Sequence, residues 1–205
     1  MPHHQLKIGN ISTSETEIKD IIKAWVAISI AFAIVLSNPV FSPDFYAKFI
    51  IASLTVGIGF LFHEMGHKIV AQRYGCFAEF RSFDNMLLLA IAMSFFGFIF
   101  AAPGAVMITG RVSKSRSGRI SAAGPVVNIV LAVLFLALAS LQLPNSLKPI
   151  AYYGFLINSW LALFNMIPFW LFDGYKILKW SKLAYGCIVA LAFALMLLQS
   201  FIPAF

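Results

Sequence analysis

The sequence predicts an all-α polytopic membrane protein with five or six transmembrane helices. A short re-entrant or edge-strand element is expected between the second helix and a later one bearing a G-x-x-x-N pattern. Three observations lead there. Of the 205 residues, 60% are hydrophobic and only 11% charged, and the mean hydropathy is +0.87, outside the range of soluble globular domains. The apolar residues, 21 Phe among them, gather into runs near the length of about 20 that crosses a hydrocarbon core of about 30 Å. The Lys and Arg residues stand mostly at the ends of these runs. Five or six spans use up the length, so one membrane-embedded domain, 21–205, is expected behind a cytoplasmic polar tail, 1–20.

A formal net charge of +7 would suit nucleic acid if the bases were gathered with interleaved aromatics. They are scattered, so no nucleic-acid partner is expected and they read as topology signals in a lipid bilayer. Cys76 and Cys187 lie far apart in unlike contexts, which implies neither a disulfide framework nor a C-x-x-C metal site. The tail has no basic stretch leading straight into an apolar core, so it is not read as a cleavable signal peptide. His3 and His4 read as part of an unstructured terminus rather than a metal site.

In chain order, the first apolar segment covers 21–37 and stops at Asn38-Pro39, a turn signal reinforced by Ser42-Pro43-Asp44. The second covers 49–71, after which Arg73, Glu79, Arg81 and Asp84 mark a polar stretch. Residues 86–102 are apolar again, but Pro103 and Gly104 break a helix there, and the following VMIT reads as a short strand. The next stretch, GRVSKSRSGR, contributes Arg111, Lys114, Arg116 and Arg119 with no acid. A fourth segment starts at Ser121 with SAAGPVVN and runs to about Leu141; the loop 143–149 contains two prolines. The fifth starts near Tyr152 and holds Asn158, read as packing, Asn165 and Pro168 before Asp173-Gly174. Lys176, Lys179 and Lys182 precede an uncharged sixth segment, 183–201.

Counting bases orients the chain. If 86–102 dips into the membrane and returns, all of the 15 Lys and Arg residues except Lys48 and Lys148 share one side. If it crosses, the bias vanishes. The positive-inside rule therefore favours a re-entrant segment and a multi-pass protein of the cell membrane with a cytoplasmic N-terminus.

Within the second segment lie His63, Glu64 and His67. On a helix, His63 and His67 stand one turn apart, so both imidazoles can hold a single Zn²⁺ with Glu64 beside them. In the usual mechanics of H-E-x-x-H the histidines ligate the metal, which acidifies a water, and the glutamate takes that water's proton. Ionisable groups in an apolar run of membrane length cost several kcal/mol each and persist mainly where they bind or react. A catalytic zinc takes three protein ligands. Of the eight acids only Glu64 and Asp173 have apolar surroundings, so Asp173 leads as the third ligand, with Cys187 a distant second. At 1.5 Å per residue, His63, Asn128 and Asn165 all reach the cytoplasmic leaflet, which locates the active site there.

These residues resemble the site-2 proteases, a family of intramembrane zinc metalloproteases. His63-Glu64-Met65-Gly66-His67 is similar to its zinc motif, Gly124-Pro125-Val126-Val127-Asn128 to its G-x-x-x-N motif, and Asn165-Met166-Ile167-Pro168 leading to Asp173-Gly174 to its N-x-x-P-x-x-x-x-D-G motif. The resemblance covers 49–182. It implies that His63, His67 and Asp173 ligate one Zn²⁺ per chain, that Glu64 is the general base, and that Asn128 and Asn165 hold the substrate backbone or the oxyanion. It further implies transmembrane protein substrates, cleaved within or near a membrane segment, and a membrane-edge strand at APGAVMI that pairs with unwound substrate. No PDZ or CBS module is present in the chain. The rival expectation is a metal-ion transporter, or a metal-binding membrane protein without hydrolase activity, using the same ligands.

Overall fold

A computed structural model describes residues 5–8, 11–37, 42–99 and 102–201. His3, His4 and the Asn38-Pro39 turn lie outside the described residues. The order is β1 (Gln5–Ile8), β2 (Ile11–Ser14), α1 (Glu15–Leu36), α2 (Phe45–Ala52), a π-helical turn (Ser53–Gly57), α3 (Ile58–Arg73), β3 (Phe77–Ser82), α4 (Asp84–Ser94), β4 (Gly104–Thr109), α5 (Lys114–Ala139), α6 (Lys148–Asn165), α7 (Asp173–Trp180) and α8 (Lys182–Leu198). The chain is mostly helical, but the all-α expectation is corrected: β1 pairs with β2 and β3 with β4, both antiparallel.

Three helical runs are long and apolar enough to span a membrane, Phe45–Arg73, Lys114–Ala139 and Lys182–Phe201, where five or six were expected. α1 has the length, but Lys19, Asp20 and Lys23 fall within its more apolar part. α6 has 18 residues, yet Tyr152, Tyr153, Asn158 and Ser159 dilute its hydropathy. α4 has only 11 residues, about 16 Å at 1.5 Å per residue, roughly half a hydrocarbon core. The strands frame it, because Ser82 lies opposite Gly104 in the β3–β4 register. The chain between them therefore leaves and returns at one place.

Helix α1 starts earlier than the expected segment, because Ser14 caps it by accepting the Glu17 N–H at 3.2 Å. The polar stretch before Ile21 is thus largely structured. Glu17 is fully buried, and its carboxylate accepts from Thr13 Oγ1 at 2.7 Å, from Lys68 Nζ at 2.5 Å and from the Phe80 N–H at 2.8 Å. One acid thus joins β2, α1, α3 and β3. Gln72 adds a second tie, since its amide both accepts from the Ser12 N–H and donates to the Ser12 carbonyl, and it also donates to the Ala78 carbonyl.

α2, the π-helical turn and α3 form one rod. The π-helical turn coincides with hydroxyls bonded back to the preceding turn: Ser53 Oγ donates to the Ile50 carbonyl and Thr55 Oγ1 to that of Ile51. Helix α5 runs centrally, packing against α3, α6 and α7. Small cores of Ala24, Ala27, Phe80 and Leu87, and of Ala132, Phe155 and Leu195, fill the two sides. Large apolar side chains such as Phe96 and Leu183 point outward, as befits lipid contact.

Candidate metal centre

Three side chains meet between α3, α5 and the start of α7. His63 and His67 are one turn apart on α3, with their Nε2 atoms 3.0 Å from each other. Asp173 Oδ2 lies 3.3 Å from His63 Nε2 and 3.0 Å from His67 Nε2. Both histidines are buried. Asp173 arrives from the first turn of α7, because the fifth segment does not run through as one helix. α6 ends at Asn165, a loop with Pro168 follows, and α7 restarts at Asp173. Gly174 lets this turn press against the Met166 backbone, where a Cβ would collide.

The far nitrogens of both rings are held by the protein. His67 Nδ1 donates to the Ile120 carbonyl at 2.8 Å, and His63 Nδ1 faces Asn128 Oδ1 at 2.6 Å. The Ile120 carbonyl can only accept, so the His67 proton sits on Nδ1. Asn128 Nδ2 donates to the Gly59 carbonyl at 3.1 Å, which turns Oδ1 toward His63 and leaves that ring with Nδ1–H as well. Both Nε2 lone pairs therefore face the Asp173 carboxylate oxygen.

The G-x-x-x-N spacing explains itself on α5. Gly124 and Asn128 share one face, and that face meets the histidines. A Cβ at Gly124 would lie 2.5 Å from His67 Nε2 and 2.6 Å from His63 Cε1. Pro125 removes an N–H from this turn. Glu64 is buried beside the triad, and its Oε2 accepts from the Val106 N–H on β4 at 3.0 Å.

Comparison with known proteins places this geometry in a family. A protein of Methanocaldococcus jannaschii bearing the provisional name zinc metalloprotease MJ0611 is 39% identical over 173 residues, 83% of this chain and 88% of its own. The chain belongs to this zinc metalloprotease family. A second protein of that organism, zinc metalloprotease MJ0392, is 28% identical over 123 residues, 60% of this chain and 31% of its own. No family model and no solved structure matches the chain.

The donor set of this metalloprotease fits zinc. Tetrahedral bonds of about 2.0–2.1 Å set neighbouring donors about 3.3 Å apart, and the three donors here are 3.0–3.3 Å apart. Two imidazole Nε2 atoms and a carboxylate oxygen converge on one point, an arrangement that a divalent cation satisfies. Among the described residues, His63, His67 and Asp173 form the one cluster of three such ligands. Cys187 lies exposed on α8 and is not in it.

Of the remaining site candidates, Asn128 is fully buried with both ends of its amide engaged, while Asn165 is half-buried at the end of α6 and donates to the Leu161 carbonyl at 2.9 Å. The partners that sequence reading missed in the metalloprotease are the Ile120 carbonyl and the Val106 N–H. Both are main-chain groups, which residue identity cannot announce. The Pro103-Gly104 break was the available signal for the strand that bears Val106, and nothing in the sequence marks the Ile120 carbonyl.

Proposed function

We propose that this metalloprotease is an intramembrane endopeptidase of the site-2 type, which hydrolyses a peptide bond within or near a transmembrane segment of membrane-protein substrates. The observation that carries the reading is the meeting of His63, His67 and Asp173 beside Glu64, with the histidines and Glu64 on a helical run apolar enough to span a bilayer. Bound Zn²⁺ would supply an acidified water and polarise the scissile carbonyl. Glu64 takes a proton on its carboxylate and returns it to the leaving amine. Asp173 and the two histidines hold the metal. Asn128 holds His63, and the Asn165 amide is left to meet the substrate oxyanion.

β4 supports the substrate class. It pairs with β3 along one edge, and its Val106 N–H points out of the ladder at Glu64. An unwound membrane segment that added to this edge would lie alongside the catalytic carboxylate. The charge bias of the loops orients the protein with its N-terminus and active site toward the cytoplasm. A transporter would stage ligand clusters through both leaflets, whereas among the described residues only one cluster of three could hold a metal ion.

The test is Glu64→Gln. A purified sample should keep about one zinc per chain and lose cleavage of transmembrane model peptides, because the amide cannot take the proton. Normal turnover by this variant would sink the mechanism, and zinc flux into proteoliposomes would favour the transporter.

A further inference from the structure

We infer that Asn158 is a positioning residue for the metal, acting on His63 through Asn128. The inference rests on the metal-centre reading above, and its starting point is a line of hydrogen bonds whose direction is fixed at both ends. Asn158, on α6, is fully buried. Its Nδ2 donates to the Gly154 carbonyl at 2.8 Å, and its Oδ1 accepts from Asn128 Nδ2 at 3.0 Å. The Gly154 carbonyl can only accept, so the Asn158 amide has one orientation and presents its oxygen to Asn128.

Asn128 Nδ2 has two protons. The Gly59 carbonyl takes one and Asn158 Oδ1 takes the other. Without Asn158 a buried N–H would be left without an acceptor, a loss of about 1–3 kcal/mol that the amide can escape only by turning away. Turning would withdraw Oδ1 from His63 Nδ1, now 2.6 Å away, and with it the contact that keeps the proton on Nδ1 and aims Nε2 at the metal. The neighbouring helix leaves room for the arrangement, since a Cβ at Gly59 would lie 2.6 Å from Asn158 Oδ1. α6 therefore bears on the metal from two directions: through Asn158, and through the loop that delivers Asp173.

The experiment measures Zn²⁺ affinity of the full chain in detergent by competition with a chromophoric chelator, and records the Co²⁺ absorption spectrum as a report of ligand geometry. Asn128→Ala, which removes the direct partner of His63, should weaken Zn²⁺ binding about 10–100-fold. Asn158→Ala should weaken it roughly tenfold and shift the Co²⁺ bands. In an Asn128→Ala background, Asn158→Ala should add less than about twofold, because its effect passes through Asn128. If Asn158→Ala fails to fold, Asn158→Leu removes the acceptor at similar volume and serves in its place. Wild-type affinity with an unchanged Co²⁺ spectrum, or full additivity in the double variant, would overturn the proposal. Failure of the wild type to bind Zn²⁺ more tightly than His63→Ala would instead overturn the metal reading itself.

Discussion

The Glu64 carboxylate accepts a hydrogen bond from the backbone N–H of Val106, 3.0 Å away, joining the helix that bears His63 and His67 to the outer edge of a two-stranded sheet. Val106 pairs in register with Phe80, whose own N–H also points outward, to Glu17. The two residues thus form a non-hydrogen-bonded pair, with each free N–H taken by a buried carboxylate.

Val106→Pro removes the donor to Glu64 and costs no rung of the ladder. Loss of a charge-assisted hydrogen bond of about 1.5–3 kcal/mol should lower kcat/KM roughly 10–100-fold, with zinc content unchanged. A variant that cleaves model peptides at the wild-type rate would show that the contact is incidental.

Asp173→Asn should depress zinc retention and activity together, because it removes the only anionic ligand of the triad. Glu64→Gln should separate them. Metal analysis alongside a cleavage assay distinguishes the two patterns, and full zinc occupancy in Asp173→Asn after dialysis against a chelator would remove Asp173 from the ligand set.

Gly124→Ala places a methyl 2.5–2.6 Å from both imidazoles. Neither ring can retreat without giving up its Nδ1 partner, so zinc affinity should fall at least about tenfold, in the range of other disturbances around metal ligands. Gly186→Ala on α8, where nothing lies within 4 Å, is the control and should leave affinity unchanged and stability level or raised by up to about 1 kcal/mol. Equal zinc affinities in the two variants would contradict the packing described.

Glu17→Ala strands Lys68, which is 2% exposed, as an unpaired buried charge. Removing one partner of such a pair typically costs about 3–5 kcal/mol, and here it also releases the Phe80 N–H. Denaturant unfolding in detergent should show the loss, whereas Glu17→Leu with Lys68→Met should recover much of it. An unfolding midpoint unmoved by Glu17→Ala would mean that the carboxylate does not join the sheet to α3.

Periodicity made much of the chemistry legible in advance. His63 and His67 lie four residues apart, as do Gly124 and Asn128, and in a helix that spacing means a common face whatever the rest of the fold does. Composition likewise marked apolar runs of membrane-spanning length, three of which the structure forms as helices, since an unbroken apolar run needs no tertiary context to be costly in water. The VMIT strand was visible because Pro103 and Gly104 forbid a helix there, but its partner β3 was hidden among charged residues that read only as a polar stretch. Glu79 and Arg81 bond to one another, and the ladder that makes them a strand exists only once Gly104 is opposite Ser82. The meeting of Asp173 with histidines 110 and 106 positions earlier in the chain, by its numbering, was expected by elimination among the acids. Its geometry came from the break at Pro168 and the contact of Gly174 with Met166. Asn158 read as a packing residue, since a lone Asn in an apolar helix announces no partner. Its neighbours Asn128, Gly59 and Gly154 come from three helices, and only their packing makes one hydrogen-bonded line of them. Local spacing is written into the chain, while the direction of a buried hydrogen bond depends on which acceptor the fold sets across from it.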